Sequence, residues 1–255
     1  MTNAKSSLKK LLNMIGIELS RRRHTISDLQ SLPRLATAGS TIEFVGTQGI
    51  GKTTLFNACW PSIRNRWYSR RVLEGLGPSS VLSGSIECIH RNIFLNRINL
   101  LNSSDLDPWQ NITHALQAAT TIYESLMISS QDFSRGFVLE EGLFKNFPKE
   151  VLNLCDTKAA PLWEKRAFVY LRARDPDITL SRFQRREDKR RNRKIYQHYR
   201  PDDEVRSRID ADNRLFDQMI DKAKVFACPL IVINAEDRLQ DAVKDVLGFE
   251  RSLRF

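Results

Sequence analysis

The residues best suited to chemistry lie between positions 41 and 54, in the run Thr-Ile-Glu-Phe-Val-Gly-Thr-Gln-Gly-Ile-Gly-Lys-Thr-Thr. Gly46-x-x-x-x-Gly51-Lys52-Thr53 has the spacing of a phosphate-binding loop. Each residue type there has a physical reason. The glycines remove the Cβ that would stand in the way. The backbone N–H groups of Gly46, Thr47, Gln48, Gly49, Ile50 and Gly51 can then turn inward onto phosphate oxygens. A helix opening at Lys52, Thr53 and Thr54 adds its partial positive charge at the same place. Lys52 would reach the β- and γ-phosphates, and the Thr53 hydroxyl would ligate Mg²⁺. The pattern therefore predicts a bound nucleoside triphosphate, taken as ATP, together with Mg²⁺.

A second set of chemical residues follows the run Gly136-Phe-Val-Leu-Glu140-Glu141-Gly142-Leu143. Buried apolar residues that end in carboxylates are how a parallel strand delivers an acid to the phosphate edge of its sheet. Such an acid can hold a metal-bound water or act as general base. Glu140 is thus a candidate metal neighbour with Thr53, and both Glu140 and Glu141 are candidate catalytic acids. Alternation along a strand points the two in opposite directions without saying which enters the site. A third set is cationic. Arg182, Arg185 and Arg186 lie within residues 172 to 208, where 13 Lys or Arg stand against 7 Asp or Glu. Arginines on a helical lid can neutralise charge on a transferred phosphoryl group and shut out water. The same run can also be read as a solvated helix face or a nucleic-acid patch.

These residues need elements to hold them. Ile42 to Val45 reads as a buried strand and Thr54 to about Arg66 as the helix after the loop. Residues 136–139, 167–171 and 229–233 read as three further strands, all short, apolar and rich in branched or aromatic side chains. Ile93 to Leu101 and Trp109 to Ser129 read as helices, the second with Ile112, Ala115, Leu116, Ala119, Ile122 and Leu126 on a face most simply assigned to the core. Arg64-x-Arg66-Trp67-Tyr68-x-Arg70-Arg71 reads either as a clamp for a phosphate and a planar ring, or as a helix end with Trp67 packed inward. Val205 to Val225 and Arg238 to Leu247 complete the helices. Strands alternating with helices predict an α/β, three-layer fold with a mainly parallel sheet.

Composition narrows the class. The chain has 255 residues, 41% apolar, and a net charge of +10. That is enough apolar material for one large domain, and the basic balance suits phosphorylated or other anionic partners. No uninterrupted apolar run reaches the roughly 18 residues of a transmembrane helix. The four cysteines have no metal-like spacing, which fits a reducing cytoplasmic compartment. Cys59 and Cys228 read as small core residues. Residues 1–40 read as an N-terminal helical extension, with Leu8, Leu11, Leu12, Ile15 and Leu19 near helical spacing. Charge after rather than before this apolar stretch argues against a signal peptide. Residues 41–255 read as the nucleotide-binding domain, with 172–207 as a basic lid.

In order, these pieces resemble the P-loop kinases of the thymidylate kinase and deoxynucleoside kinase group. The matching stretches are Phe-Val-Gly-Thr-Gln-Gly-Ile-Gly-Lys-Thr-Thr at 44–54, Val-Leu-Glu-Glu-Gly at 138–142, Val-Tyr-Leu-Arg-Ala-Arg-Asp-Pro-Asp at 169–177 and Ile-Val-Ile-Asn-Ala at 231–235. The resemblance implies about five parallel strands with helices on both faces, ATP and Mg²⁺ at Lys52 and Thr53, and lid roles for Arg182, Arg185 and Arg186. It also implies Glu140 or Glu141 as base or metal neighbour. The chain departs from that group in Glu-Glu-Gly, where an Asp-Arg pair is expected. It also lacks the Arg-Glu-Pro signature after the first helix. Asn234-Ala-Glu-Asp237 lacks the lysine of a GTPase base-reading motif, so a signalling GTPase is not indicated.

The expectation is a kinase that passes the γ-phosphoryl group of ATP to an unidentified small-molecule acceptor, with nucleosides and nucleotides among the candidates. It would work as a monomer or homodimer. The alternative is a regulatory or nucleic-acid-associated P-loop ATPase, in which the basic segment binds a polymer and hydrolysis drives a conformational change.

Overall fold

Thr41–Val45 forms strand β1, and all five of its residues are buried. A strand covered on both faces belongs at the centre of a parallel sheet. The computed structural model, which describes residues 29–75, 85–104, 107–191 and 202–254, puts it there. The other strands are β2 (Trp67–Ser69), β3 (Gly136–Leu139), β4 (Arg166–Arg172) and β5 (Leu230–Asn234). Their order across the sheet is β2-β3-β1-β4-β5, and every neighbouring pair is parallel. The chain travels from β1 to edge strand β2, reverses there, and then steps back through β3 and across β1 to β4 and β5, so the connections that leave the neighbouring strands β1 and β3 run in opposite directions. Ligands of open parallel sheets bind at such a switch point, beyond the carboxyl ends of the strands.

Nine α-helices among the described residues cover the sheet: α1 (Lys52–Ile63), α2 (Ser85–Asn102), α3 (Pro108–Ser130), α4 (Leu143–Asn146), α5 (Pro148–Leu152), α6 (Asp156–Trp163), α7 (Pro176–Arg191), α8 (Asp202–Val225) and α9 (Leu239–Ser252). Alternation along β1 and β4 supplies two cores. Ile42, Phe44, Val169 and Leu171 face α1 and α9, while Val45, Phe168 and Tyr170 face α2, α3, α4, α6 and α8. This is a three-layer α/β arrangement, with the phosphate loop at the carboxyl edge of its central strand. No helix among the described residues is long and apolar enough to cross a membrane.

The structure revises several local expectations. The helix after the loop ends at Ile63, and the segment beyond it is not a helix end. It becomes edge strand β2 and then a 3₁₀ turn, Arg70–Gly75. Trp67 is buried and its Nε1 donates to Glu250 Oε1 at 2.6 Å, with Arg66 on the same carboxylate. Arg70 pairs with Glu124 at 2.8 Å. The aromatics of this stretch are therefore core, and two of its four arginines are tied into ion pairs. The stripe on α3 also divides. Ile122 and Leu126 are buried, while Ile112 and Leu116 are exposed, so the buried face of α3 begins at Ala118. Residues 29–40 pack onto the domain through Leu29, Leu35 N donating to Ser134 O, and an Arg34–Asp132 pair. The predicted helix at 5–19, the loop at 76–84 and lid residues 192–201 lie outside the described residues.

Candidate active site

The phosphate loop joins β1 to α1 at the carboxyl edge of the sheet. Gly46, Gly49 and Gly51 have φ of 133°, 87° and 112°, values that side chains resist. At Gly46 an added Cβ would also lie 2.3 Å from Leu171 O, so the loop cannot take its path with any larger residue there. No side chain caps α1, and its first N–H groups remain free to meet an anion.

Lys52 is 93% shielded from solvent, with its Nζ donating to Gly46 O and Thr47 O, each at 2.7 Å. Burial, reinforced by the charge of Lys145, pushes its pKa down to about 7. The fields of Glu141, Glu140 and Asp212 resist that shift. The ammonium thus rests on loop carbonyls at the position where phosphate oxygens would replace them.

Thr53 follows, and its Oγ1 hydrogen-bonds to Glu140 Oε1 across 87 positions of sequence. Strand β3 ends at Leu139, so Glu140 stands at the lip of the sheet next to the loop. Glu141 has a carboxylate that is 51% exposed, lies 3.5 Å from Lys145 Nζ and acts on Lys52 through its charge. Of the two acids, Glu140 is the one bonded to Thr53. The hydroxyl and the carboxylate converge as hard oxygen donors, which suits Mg²⁺ completed by phosphate oxygens and water. No cluster of three or more His, Cys, Asp or Glu ligands occurs among the described residues, so a closed protein cage for a metal is not the pattern here.

A buried pair behind the loop fixes Glu140. Glu43, in the middle of β1, is fully buried, and its carboxylate lies 3.8 Å from the guanidinium of buried Arg166 on β4. Its Oε1 accepts from Lys145 N at 2.7 Å, capping the start of α4. Only glycine fits at 142, because a Cβ would come within 2.4 Å of the Glu43 carboxyl carbon. The turn Glu140-Glu141-Gly142 is therefore clamped onto β1. Desolvation raises the Glu43 pKa to about 7 against the pull of Arg166. The charge of Glu43 amid apolar β1 was a signal in the sequence, but its meaning required the partner from β4.

On α7, Arg182 reaches the loop. Arg182 donates from Nη1 to Ile50 O and from Nη2 to Ala235 O, both at 2.8 Å, bridging the phosphate loop to the end of β5. Arg185 is exposed, and Arg186 lies in α7 with its side chain outside the described set. Glu236 accepts from the N–H groups of Arg174 and Asp175, holding the β4–α7 turn. Sequence reading placed a helix from Val205 to Val225 but gave it no part in the site. Thr47 Oγ1 donates to Asn213 Oδ1 at 3.1 Å, so α8 meets the loop and sets Asp212 near enough to Lys52 for their charges to interact. Asp217 anchors α8 to β4 through Tyr170 and Arg172. A cleft of about 280 Å³ opens between α2, α3 and α4, lined by Arg97, His114, Gln117, Thr121, Asn146 and Phe147.

The strand order and the glycine loop define a three-layer α/β fold built around a phosphate-binding loop. Two solved structures of deoxyadenosine kinase from M. mycoides are distantly similar to the chain. One, with dCMP and dCDP bound, has a TM-score of 0.43 and 12% identity over 83% of this chain and 98% of its own. The other, with dATP bound, has a TM-score of 0.40 and 13% identity over 83% of this chain and all of its own. Neither a protein-family model nor a curated protein matches the chain.

Proposed function

We propose that the chain transfers the γ-phosphoryl group of Mg-ATP to a small-molecule acceptor. The observation that carries this reading is the meeting of Thr53 and Glu140 beside Lys52, at the carboxyl edge of a parallel sheet. Phosphoryl transfer asks a protein mainly for positioning and charge, and these residues offer both. The loop N–H groups hold the phosphate chain. Lys52 leaves its two carbonyls for phosphate oxygens. Thr53 and Glu140 would hold Mg²⁺, which supplies charge neutralisation when bound. Glu140 is also placed to receive a proton from an acceptor hydroxyl, either directly or through a water. Arg182 latches the loop to the end of β5, next to the expected position of the base. Arg185 and Arg186 are the lid arginines in this proposal.

The test is ADP release from Mg-ATP, alone and with nucleosides, nucleoside monophosphates, sugars, DNA and RNA added separately. Stimulation by one small molecule, with a phosphorylated product by mass spectrometry and loss in Lys52→Ala, is the expected result. Stimulation by nucleic acid alone would replace the kinase reading with the ATPase one.

A further inference from the structure

A cavity of about 420 Å³ opens at the amino edge of the sheet. It lies the length of β1 from the phosphate loop, roughly 16 Å for the five extended steps from Thr41 to Gly46. Its floor is Thr41 and Arg166, the buried first residues of β1 and β4. Ile86, Ile128 and Pro161 give it apolar walls. A partly apolar space of this size with a few charged groups is the usual form of a small-molecule site.

Arg166 sets this cavity apart. Its side chain is 5% exposed, the deepest arginine in an ion pair among the described residues, yet its partners are distant. The Glu43 carboxylate is 3.8 Å away and the Ser125 hydroxyl 3.5 Å, and that hydroxyl already meets His90 Nε2 at 2.9 Å. Arg70 and Arg97, both more exposed, meet their carboxylates at 2.8 and 2.7 Å. Glu43 Oε2 has no hydrogen-bond partner within the described residues. A buried guanidinium seeks oxygen acceptors at about 2.7–2.9 Å, and the cavity that Arg166 lines is the space from which one can reach it. A second cation stands at the mouth. Lys165 takes φ 51°, a conformation a β-carbon resists, and its carbonyl accepts from Thr41 N at 2.9 Å. Its Nζ lies over Gly39, 3.8 Å from where a Cβ would stand. Charge selects the ligand. Arg34, Lys165 and Arg166 line the cavity against Asp132 and Glu164, so one negative charge balances the lining, and a dianion would face both acids.

We propose that this cavity is a second ligand site, for a small monocarboxylate with an apolar body, and that its occupant acts on the turn carrying Glu140 through Arg166 and Glu43. The carboxylate takes the Arg166 guanidinium and the Lys165 ammonium, and the body lies on Ile86, Ile128 and Pro161. The line to the opposite edge is short. Arg166 faces Glu43, whose Oε1 accepts from Lys145 N at 2.7 Å and whose carboxyl group leaves room only for glycine at 142. A carboxylate on Arg166 competes with Glu43 for the guanidinium and so changes that hold. Binding stands apart from the phosphoryl-transfer reading, and only its effect on the reaction rests on it.

The test is titration of benzoate, as probe, into the full ¹⁵N-labelled chain saturated with Mg-AMP-PNP, followed by ¹H–¹⁵N spectra. The amides of Thr41, Ser129 and Lys165 should shift on one saturating curve, and those of Gly142 and Lys145 should follow it. Benzamide, the neutral isostere, and the exposed substitution Lys165→Glu should each weaken binding at least about 10-fold, the loss of one charge-assisted contact. Glu43→Leu paired with Arg166→Met strands no buried charge and should abolish binding. Phenyl phosphate should bind more weakly than benzoate, and tighter binding would overturn the carboxylate as the ligand. Absence of saturating shifts, shifts at the phosphate loop alone, equal binding of benzamide, or equal binding by the variants would overturn the site. Shifts confined to the amino edge would overturn the link to Gly142. Mg-AMP-PNP binding is measured first. Its failure would remove the phosphoryl-transfer reading alone, and the same titration without nucleotide then decides the cavity.

Discussion

Lys52 gives the sharpest prediction, because burial leaves its pKa at about 7 before any phosphate arrives. A triphosphate needs the ammonium form, and its negative charge restores the ordinary lysine pKa in the complex. Above pH 7, binding must therefore take up a proton. About half of the free sites hold it at pH 7 and about 1% at pH 9, so Mg-AMP-PNP affinity should fall about 50-fold between pH 7 and 9, close to 2.3 kcal/mol. Mg²⁺ keeps the terminal phosphate ionised throughout this window, so the slope belongs to the protein. Calorimetry at pH 8 in two buffers of different ionisation enthalpy should report uptake of nearly one proton. Lys52→Met should bind weakly at every pH and show no slope. The unliganded protein carries the opposite signature. Between about pH 7 and 10.5 the unfolded chain binds this proton more readily than the folded one, so this group makes stability rise with pH across that window. Lys52→Met should then raise the melting temperature at neutral pH. Flat affinity from pH 7 to 9 together with no proton uptake would refute the picture of a buried lysine waiting on loop carbonyls.

Three further outcomes follow from the same geometry. Glu140→Gln should lower kcat by about 100-fold or more, while Glu141→Gln, which loses a half-exposed contact with Lys145 and a charge that acts on Lys52, should stay within about 10-fold. Steady-state kinetics on both variants would expose a reversed assignment. Arg182→Ala removes two guanidinium–carbonyl bonds, each worth about 1.5–3 kcal/mol before exposure discounts it. KM for ATP should rise about 10-fold with little change in melting temperature, and an unchanged KM would remove the latch. Glu43→Ala strands a buried guanidinium and should cost about 3–5 kcal/mol in denaturant unfolding, while Glu43→Leu paired with Arg166→Met should recover most of that loss. The raised Glu43 pKa also has a sign. Its stabilising share is full below about pH 4.5 and is lost as pH rises through about 7, so Glu43→Gln should flatten the stability profile over that range.

Local spacing determined the phosphate loop, because every residue it needs lies within nine positions of the chain and its glycines are required by backbone sterics alone. The four longer strands were legible for a related reason. Each is an apolar run; β1, β3 and β4 are buried along nearly their whole length, and edge strand β5 keeps the same composition although Val232 is exposed. Strand β2 left no such mark. Three residues are too few to show a period, and Trp67 and Tyr68 between arginines looked like a binding surface until Glu250, from the far end of the chain, received Trp67 and Arg66. The site as a whole was decided by tertiary structure. Thr53 meets Glu140 across 87 positions and Thr47 meets Asn213 across 166, and no periodicity encodes contacts of that range. The same holds for the bond that joins Thr53 to Glu140 and not to Glu141. Polar residues on helix surfaces read as solvated faces in a sequence, and only the packing of α8 brings Asn213 to the loop.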